Sequence, residues 1–262
     1  MKKLLLVLLL LVHQSYVYSQ DYKLLLTISC NAGKFTTDPL GNSYVYQKGD
    51  ITKYNTDGYE SARYSTREFG DITYVDATNP LKILVLFREF SKAVILDASL
   101  APSSEFNLSF PGIPYINVIC SSREEGYWIA DPVAKQLRKI NDQLSVVADG
   151  TPYRQVTVSE IEVLYMVDSG NWLVMVAKGY GALIFDRFGT YYKTYSMVPD
   201  VPIQANGDEI LYKENNGMVK IDIRTGKVSN FLLPENHIDD AGRVEGNRIF
   251  LKTLNSLKIY SY

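Results

Sequence analysis

The sequence predicts an all-β chain folded as a six-bladed β-propeller, closed by pairing of the N-terminal strand with the C-terminal blade. Three observations predict it. A seven-residue unit recurs six times: "GDITKYN" ending at Asn55, "SKAVILD" at Asp97, "KQLRKIN" at Asn141, "YGALIFD" at Asp186, "NGMVKID" at Asp222 and "NSLKIYS" at Ser261. The intervals of 42, 44, 45, 36 and 39 residues match the period of a four-stranded propeller blade. The runs around each unit are short, β-branched and aromatic, and bounded by Gly, Asn, Asp and Pro, with no helical period beyond the first residues. Finally, the sixth unit runs out at Tyr262 without an outer strand, whereas the early run "DYKLLLTIS" belongs to no unit. A β-sandwich or two small β domains would explain the strands but neither the period nor the spare strand.

The elements follow in order. Met1-Lys2-Lys3 and the apolar run 4–12 read as a secretory leader. Val17 and Ser19 occupy the cleavage-site positions, so the predicted boundaries are a leader over 1–19 and one propeller domain over 20–262. The run is too short for a span of about 20 residues. A lipid-modified Cys30 in "LTISC" is the other reading, but a polar stretch separates it from the apolar run and Thr27 stands where an aliphatic residue is expected. The expected location is therefore the periplasm or the cell exterior.

The orphan strand is expected to complete the last blade, which places both termini in one sheet and leaves no open seam. Each unit follows a second strand: "NSYVYQKG", "LKILVLFREF", "GYWIADPVA", "NWLVMVAKGY", "DEILYKENNG" and "NRIFLKTLNS". Near-continuous apolar runs such as "ILVLF" and "WLVMV" suit strands buried on both faces between neighbouring blades. Outer strands are expected in "YESARYS", "SEFNLS", "LSVVAD", "YYKTYSM" and "VSNFLLP", and inner ones in "ITYVDAT", "YINVICS", "VTVSEIEVLYM" and "VPIQA". In the repeat, the sixth position is always large and apolar or aromatic (Tyr54, Leu96, Ile140, Phe185, Ile221, Tyr260), and the seventh is a small polar turn-former.

Removing residues 1–19 leaves 243 residues and takes the formal charge from −2 to −4. That balance argues against nucleic acid, whose binding surfaces are basic. Two cysteines, Cys30 and Cys120, make no disulfide framework and no zinc motif; in the predicted blade order they lie on opposite sides of the ring, unpaired.

Beyond the leader, His237 is the single histidine. Asp239 and Asp240 lie beside it, the ingredients of a Ser-His-Asp triad, although a lone His in a polar loop is more often simply solvated. "NAGKFTT", "RTGKVSN" and "GYGALIF" lack the full glycine spacing of phosphate loops and read as turns. Asp71, Glu160, Glu162, Asp239 and Asp240, with Asn117 and Asn206, lie near predicted inner strands and are hard-ligand candidates for calcium, the basis of an alternative reading as a calcium-dependent propeller hydrolase or lactonase. Acids near strand ends also occur on any soluble surface. The expectation is no cofactor, no metal and no catalytic set. "NLS" at Asn107 is a glycosylation sequon only in a eukaryotic secretory route.

The 20 tyrosines, against 2 tryptophans, exceed ordinary usage. Tyr packs well in strands, and it also serves recognition faces, so a few exposed tyrosines favour a protein or glycan partner; a glycan-binding lectin is the third reading.

The exported six-unit pattern and the "YSQ" end of the leader resemble the small six-bladed β-propellers of Bacteroidota envelopes. In size, and in lacking an enzyme motif, the chain is similar to the periplasmic plug subunits of the type 9 secretion translocon. The resemblance covers the whole mature chain and rests on architecture, so it carries over no functional residue. It implies a non-catalytic binding or scaffold protein of the envelope with a protein partner, on or near an outer-membrane assembly and not itself membrane-spanning. The candidate partner surface is the set of blade loops "EFGD", "LAPSSE", "SSREEG", "DGTPYRQ", "KGYG" and "PENHIDDAG", with blade-to-blade linkers and within-blade loops expected on opposite faces.

Overall fold

Asx turns punctuate the chain at a regular interval and explain the polar seventh position of the repeat. Oδ1 of Asn55 accepts the N–H groups of Asp57 and Tyr59. Asp97 does the same for Ser99 and Ala101, Asn141 for Gln143 and Ser145, and Asp186 for Phe188 and Thr190. One side-chain oxygen thus satisfies two loop amides and reverses the chain, which Ala or Leu cannot do. Each such turn ends the third strand of a blade.

The computed structural model describes residues 22–109, 113, 115–157, 160–234 and 241–262. Its strands form six four-stranded antiparallel sheets arranged as the blades of a propeller. β1 (Lys23–Ser29) precedes the first blade, which is built from β2 (Lys34–Thr37), β3 (Ser43–Gln47), β4 (Asp50–Tyr54) and β5 (Glu60–Ser65). Blade two is β6 (Tyr74–Asp76), β7 (Ile83–Phe87), β8 (Lys92–Leu96) and β9 (Pro102–Asn107). Blade three is β10 (Ile119–Ser121), β11 (Tyr127–Asp131), β12 (Gln136–Ile140) and β13 (Val146–Pro152). Blade four is β14 (Val163–Asp168), β15 (Trp172–Ala177), β16 (Gly181–Asp186) and β17 (Tyr191–Tyr195). Blade five is β18 (Ile203–Asn206), β19 (Glu209–Glu214), β20 (Gly217–Asp222) and β21 (Val228–Leu232). Blade six is β22 (Ala241–Glu245), β23 (Arg248–Lys252) and β24 (Ser256–Ser261), with β1 as its outer strand.

The closure expected of the spare strand is present. β1 runs antiparallel to β24 from Lys23 opposite Ser261 to Ser29 opposite Ser256, with a bulge between Leu24 and Leu26. Cys30 N–H then bonds Asn255 O and fixes the exit toward blade one.

The apolar runs are continuous because each middle strand is buried on both faces. In β15, Trp172, Val174 and Val176 pack with Ile203, Ile210 and Tyr212 of blade five. The alternate residues Leu173, Met175 and Ala177 pack with Cys120, Trp128 and Leu137 of blade three. β7 divides likewise, Ile83, Val85 and Phe87 toward blade one and Leu84 and Leu86 toward blade three. This is the period of two of a strand, used twice. The remaining clusters join blades six and one through Phe250 and Val45, and blades five and six through Met218 and Leu251. Every seam of the ring therefore has its own apolar core.

Four expectations need correction. "LAPSSE", taken as a loop, contributes Pro102 to Glu105 to the outer strand β9. "KFTT", read as a turn, is the inner strand β2; the chain bends at Ala32 and Gly33 before it. Gly33 has φ +153°, and a Cβ there would lie 2.6 Å from the Tyr46 carbonyl oxygen, so the approach of this turn to β3 requires glycine. The last residues of "PENHIDDAG" begin β22 rather than a loop, while His237, Asp239 and Asp240 lie outside the described residues. "KGYG" shares a mouth with "DGTPYRQ" instead of opposing it. Because the four strands alternate in direction, the link between second and third strands falls at the same end as the link to the next blade. Links between first and second, and between third and fourth, fall at the other.

Candidate axial binding site

The inner strands run in a common sense around the axis, which makes the two mouths chemically different. Their ends carry acids: Asp76, Asp168 and Glu245 close β6, β14 and β22, and Asp38 follows β2. The side chains of Asp76, Asp168 and Glu245 stitch blades together. Asp76 Oδ2 accepts Ser121 N–H at 2.8 Å and Asp168 Oδ2 accepts Arg123 N–H at 3.1 Å. Glu245 Oε1 accepts from Thr37 Oγ1 at 2.5 Å and from Gln204 Nε2 at 2.9 Å, joining blades six, one and five. Burial is the first influence on Glu245 and Asp168 and pushes both carboxyls above their ordinary values.

At the starts of the inner strands the axis widens into a cavity of about 780 Å³. Its wall carries Lys34 and Phe35 of β2, Tyr46 of β3, Tyr74 of β6, Leu164 and Tyr165 of β14, Ile203 of β18 and Arg243 of β22. Arg88 and Val201 from the links between strands, and Lys213 and Glu214 at the end of β19, complete it. Among the described lining residues four cations face one carboxylate, the reverse of the chain's overall charge of −2.

Arg243 is held from one side. Its Nε donates to Thr37 Oγ1 at 2.8 Å, the same hydroxyl that donates to Glu245. Among the described residues no carboxylate oxygen lies within 4.0 Å of the guanidinium. Burial lowers its pKa, opposed first by the field of Glu245 and then by Tyr74 and Tyr46. The guanidinium thus sits among phenols contributed by different blades.

Those phenols are neutral near pH 7. Burial pushes Tyr46 up to about 12, with Arg243 acting against it. It raises Tyr74 and Tyr165 well above the ordinary phenol value. Tyr74 and Tyr165 stack at 6.4 Å across the short inner strand of blade three, and Tyr165 OH donates to Val201 O. Arg88 braces the same gap, donating from Nε to Asn117 O at 3.0 Å and from Nη2 to Leu164 O at 3.2 Å. Lys34 Nζ reaches Thr73 O at 3.2 Å. Chemically the cavity offers fixed cations, phenol hydroxyls and apolar wall.

The calcium candidates among the described residues are not assembled. Glu160 pairs with Lys135 at 3.6 Å and Glu162 with Lys178 at 3.0 Å. Asp71 is exposed, Asn117 lends its backbone carbonyl to Arg88, and Asn206 ends β18 at the opposite mouth. Among the described residues no group of three or more His, Cys, Asp or Glu is placed to hold a metal. Sequence reasoning missed Arg243, Tyr46, Tyr74, Tyr165 and Arg88. The usable signal was the inner strands themselves, since their first residues face the widened end of the axis.

The tyrosine excess divides as packing and site. Tyr44, Tyr64, Tyr127, Tyr153, Tyr195, Tyr212 and Tyr260 are buried between or within blades. Three line the cavity, and Tyr59, Tyr115, Tyr192 and Tyr262 are exposed.

No protein-family model matches the sequence, and no curated protein matches it. Among solved structures the chain is similar to a catalytically inactive virginiamycin B lyase from Staphylococcus aureus solved with quinupristin, at TM-score 0.62 and 13% identity over 92% of this chain and 100% of that one. A streptogramin B lyase gives TM-score 0.56 and 14% identity over 92% and 87%. The WD40 domain of Pan2 from Neurospora crassa gives TM-score 0.58 and 9% identity over 93% and 96%. At these identities the likeness is one of fold. No helix among the described residues is long and apolar enough to cross a membrane.

Proposed function

We propose that this propeller is a non-catalytic binding protein of the cell envelope, periplasmic or extracellular, and that the mouth holding the axial cavity is its docking face for a protein partner. The observation that carries the reading is the asymmetry of the axis. One mouth is tied together by buried acids that bond across blades, whereas the other opens into a cavity rimmed by Lys34, Arg88 and Lys213. A cationic rim on an otherwise acidic ring steers a partner with an acidic surface to that face and away from the rest. The predicted leader over 1–19 supports the location. The resemblance to plug subunits of the type 9 translocon supports the finer reading, in which the partner belongs to an outer-membrane secretion assembly and the propeller is its cap or subunit.

The test is capture of envelope proteins by cross-linking, with grouped substitutions on each face. Lys34 and Lys213, with Lys48 of the β3–β4 turn at the same mouth, all changed to Glu should abolish capture while the thermal midpoint stays within a few degrees. Leu40, Tyr59 and Leu81 changed to Ser on the opposite face should leave capture intact. The single changes Glu160→Gln and Asp71→Asn should do nothing. Capture that survives the triple charge reversal, or a function lost with Glu160→Gln alone in a folded chain, rejects the reading.

A further inference from the structure

We propose that the axial cavity is a binding site for an amphipathic organic anion: a carboxylate carried on an apolar body of small-molecule size, with the carboxylate on Arg243 and the body against Phe35, Tyr46, Tyr74 and Tyr165. Four observations converge. The volume of about 780 Å³ falls within the range of small-molecule sites. The wall is mostly apolar and aromatic, and a few polar groups fix orientation, which is how such sites divide affinity from specificity.

Arg243 is the fixed charge. Its Nε is already bonded to Thr37, which holds the guanidinium plane in place. The planar guanidinium matches a carboxylate bidentately, which a lysine at this place would not do. A cation set into a wall where, among the described residues, no carboxylate touches it is costly to hold there, and a ligand's carboxylate would offset that cost.

The phenols also point to an acid. Burial keeps Tyr46 and Tyr74 protonated, so they serve as neutral hydrogen-bonding groups and apolar surface around a charge. Among the described lining residues Glu214 is the one carboxylate, and it ends β19, the second strand of blade five, rather than standing on an inner strand.

The carboxylate has two sources that share this chemistry, a free acid or the C-terminal residue of a peptide. The inference goes beyond the docking role and fails separately from it: acid binding is read on the isolated chain, whereas capture is read in envelopes.

The experiment is calorimetric titration of the mature chain with N-acetyltryptophan and with its neutral analogue, N-acetyltryptophanamide. A tetraglycyl-tryptophan peptide with a free or an amidated C-terminus forms the second pair. Saturable binding of one acid per chain is expected, with the amide about ten- to a hundredfold weaker, as expected for loss of a hydrogen-bonded charge. Arg243→Met should remove the difference between acid and amide, and Arg243→Lys should restore only part of it. A peptide acid that binds more tightly than the acetylated residue identifies a C-terminus as the source; one that binds more weakly identifies a free acid. If Arg243→Met fails to fold, the unmodified chain still decides. Phenylglyoxal modification at Arg243, followed by peptide mass, should be slowed by the acid and not by the amide. Absence of saturable binding by either acid overturns the proposal. So do equal affinities for acid and amide, an unchanged difference in a folded Arg243→Met chain, or modification at Arg243 that the bound acid does not slow.

Discussion

Asp168 and Glu245 end their inner strands in positions where burial outweighs the hydrogen bonds each accepts. Both carboxyls are held above their ordinary values, so folding favours their protonated forms. The stability they contribute is full below the ordinary carboxylate range and is lost as pH rises through the raised values. The share of stability due to these two groups should therefore fall as pH climbs from about 4 toward neutrality, and Asp168→Asn with Glu245→Gln should remove that share. Urea midpoints across the range check it, and parallel slopes in parent and double variant would exclude it. The polar seventh position of the repeat was legible because an Asx turn is local: Asp97, Asn141 and Asp186 each act within four residues of themselves. Arg243 was not legible. Thr37, its hydrogen-bond partner, stands 206 residues away, and nothing in "AGRVEG" marks an arginine that faces an axis.

β1 shows how one strand governs a ring. It pairs with β24 along its length, and Ile28 enters the core shared by blades six and one. Deleting residues 21–29 strips the outer strand from blade six and opens an apolar seam beside blade one. The whole ring should then lose stability in a single transition at a much lower denaturant midpoint. Tryptophan fluorescence follows Trp128 and Trp172, in blades three and four, remote from the deletion. If those probes keep the parent midpoint, closure is not what holds the ring. This element was legible because strand counting left one strand over and one vacancy. β2 was not, since "KFTT" is four residues long and starts with the lysine of a Gly-Lys pair. β10 was recognised but overextended, because "YINVICS" is extended and apolar for longer than the Ile119–Ser121 ladder.

At the scale of the molecule the ring separates the two thiols. Cys120 lies in the core between blades three and four and Cys30 in the core between blades six and one. Both are buried and free. Titration of denatured, unreduced monomer should therefore find two thiols per chain, and finding none would contradict the blade order. The order itself was readable from the period; the axial cavity was not, because a cavity is defined by what several remote strands leave empty. The pairing of β1 with β24 has one more consequence. Lys23 and Ser261 lie side by side at the mouth where the inner strands end, opposite the cavity. Anything joined beside Lys23 or Ser261, whether an affinity tag, a fluorophore or a surface tether, departs from the far pole, so an immobilised chain presents the mouth of the cavity outward to the solution.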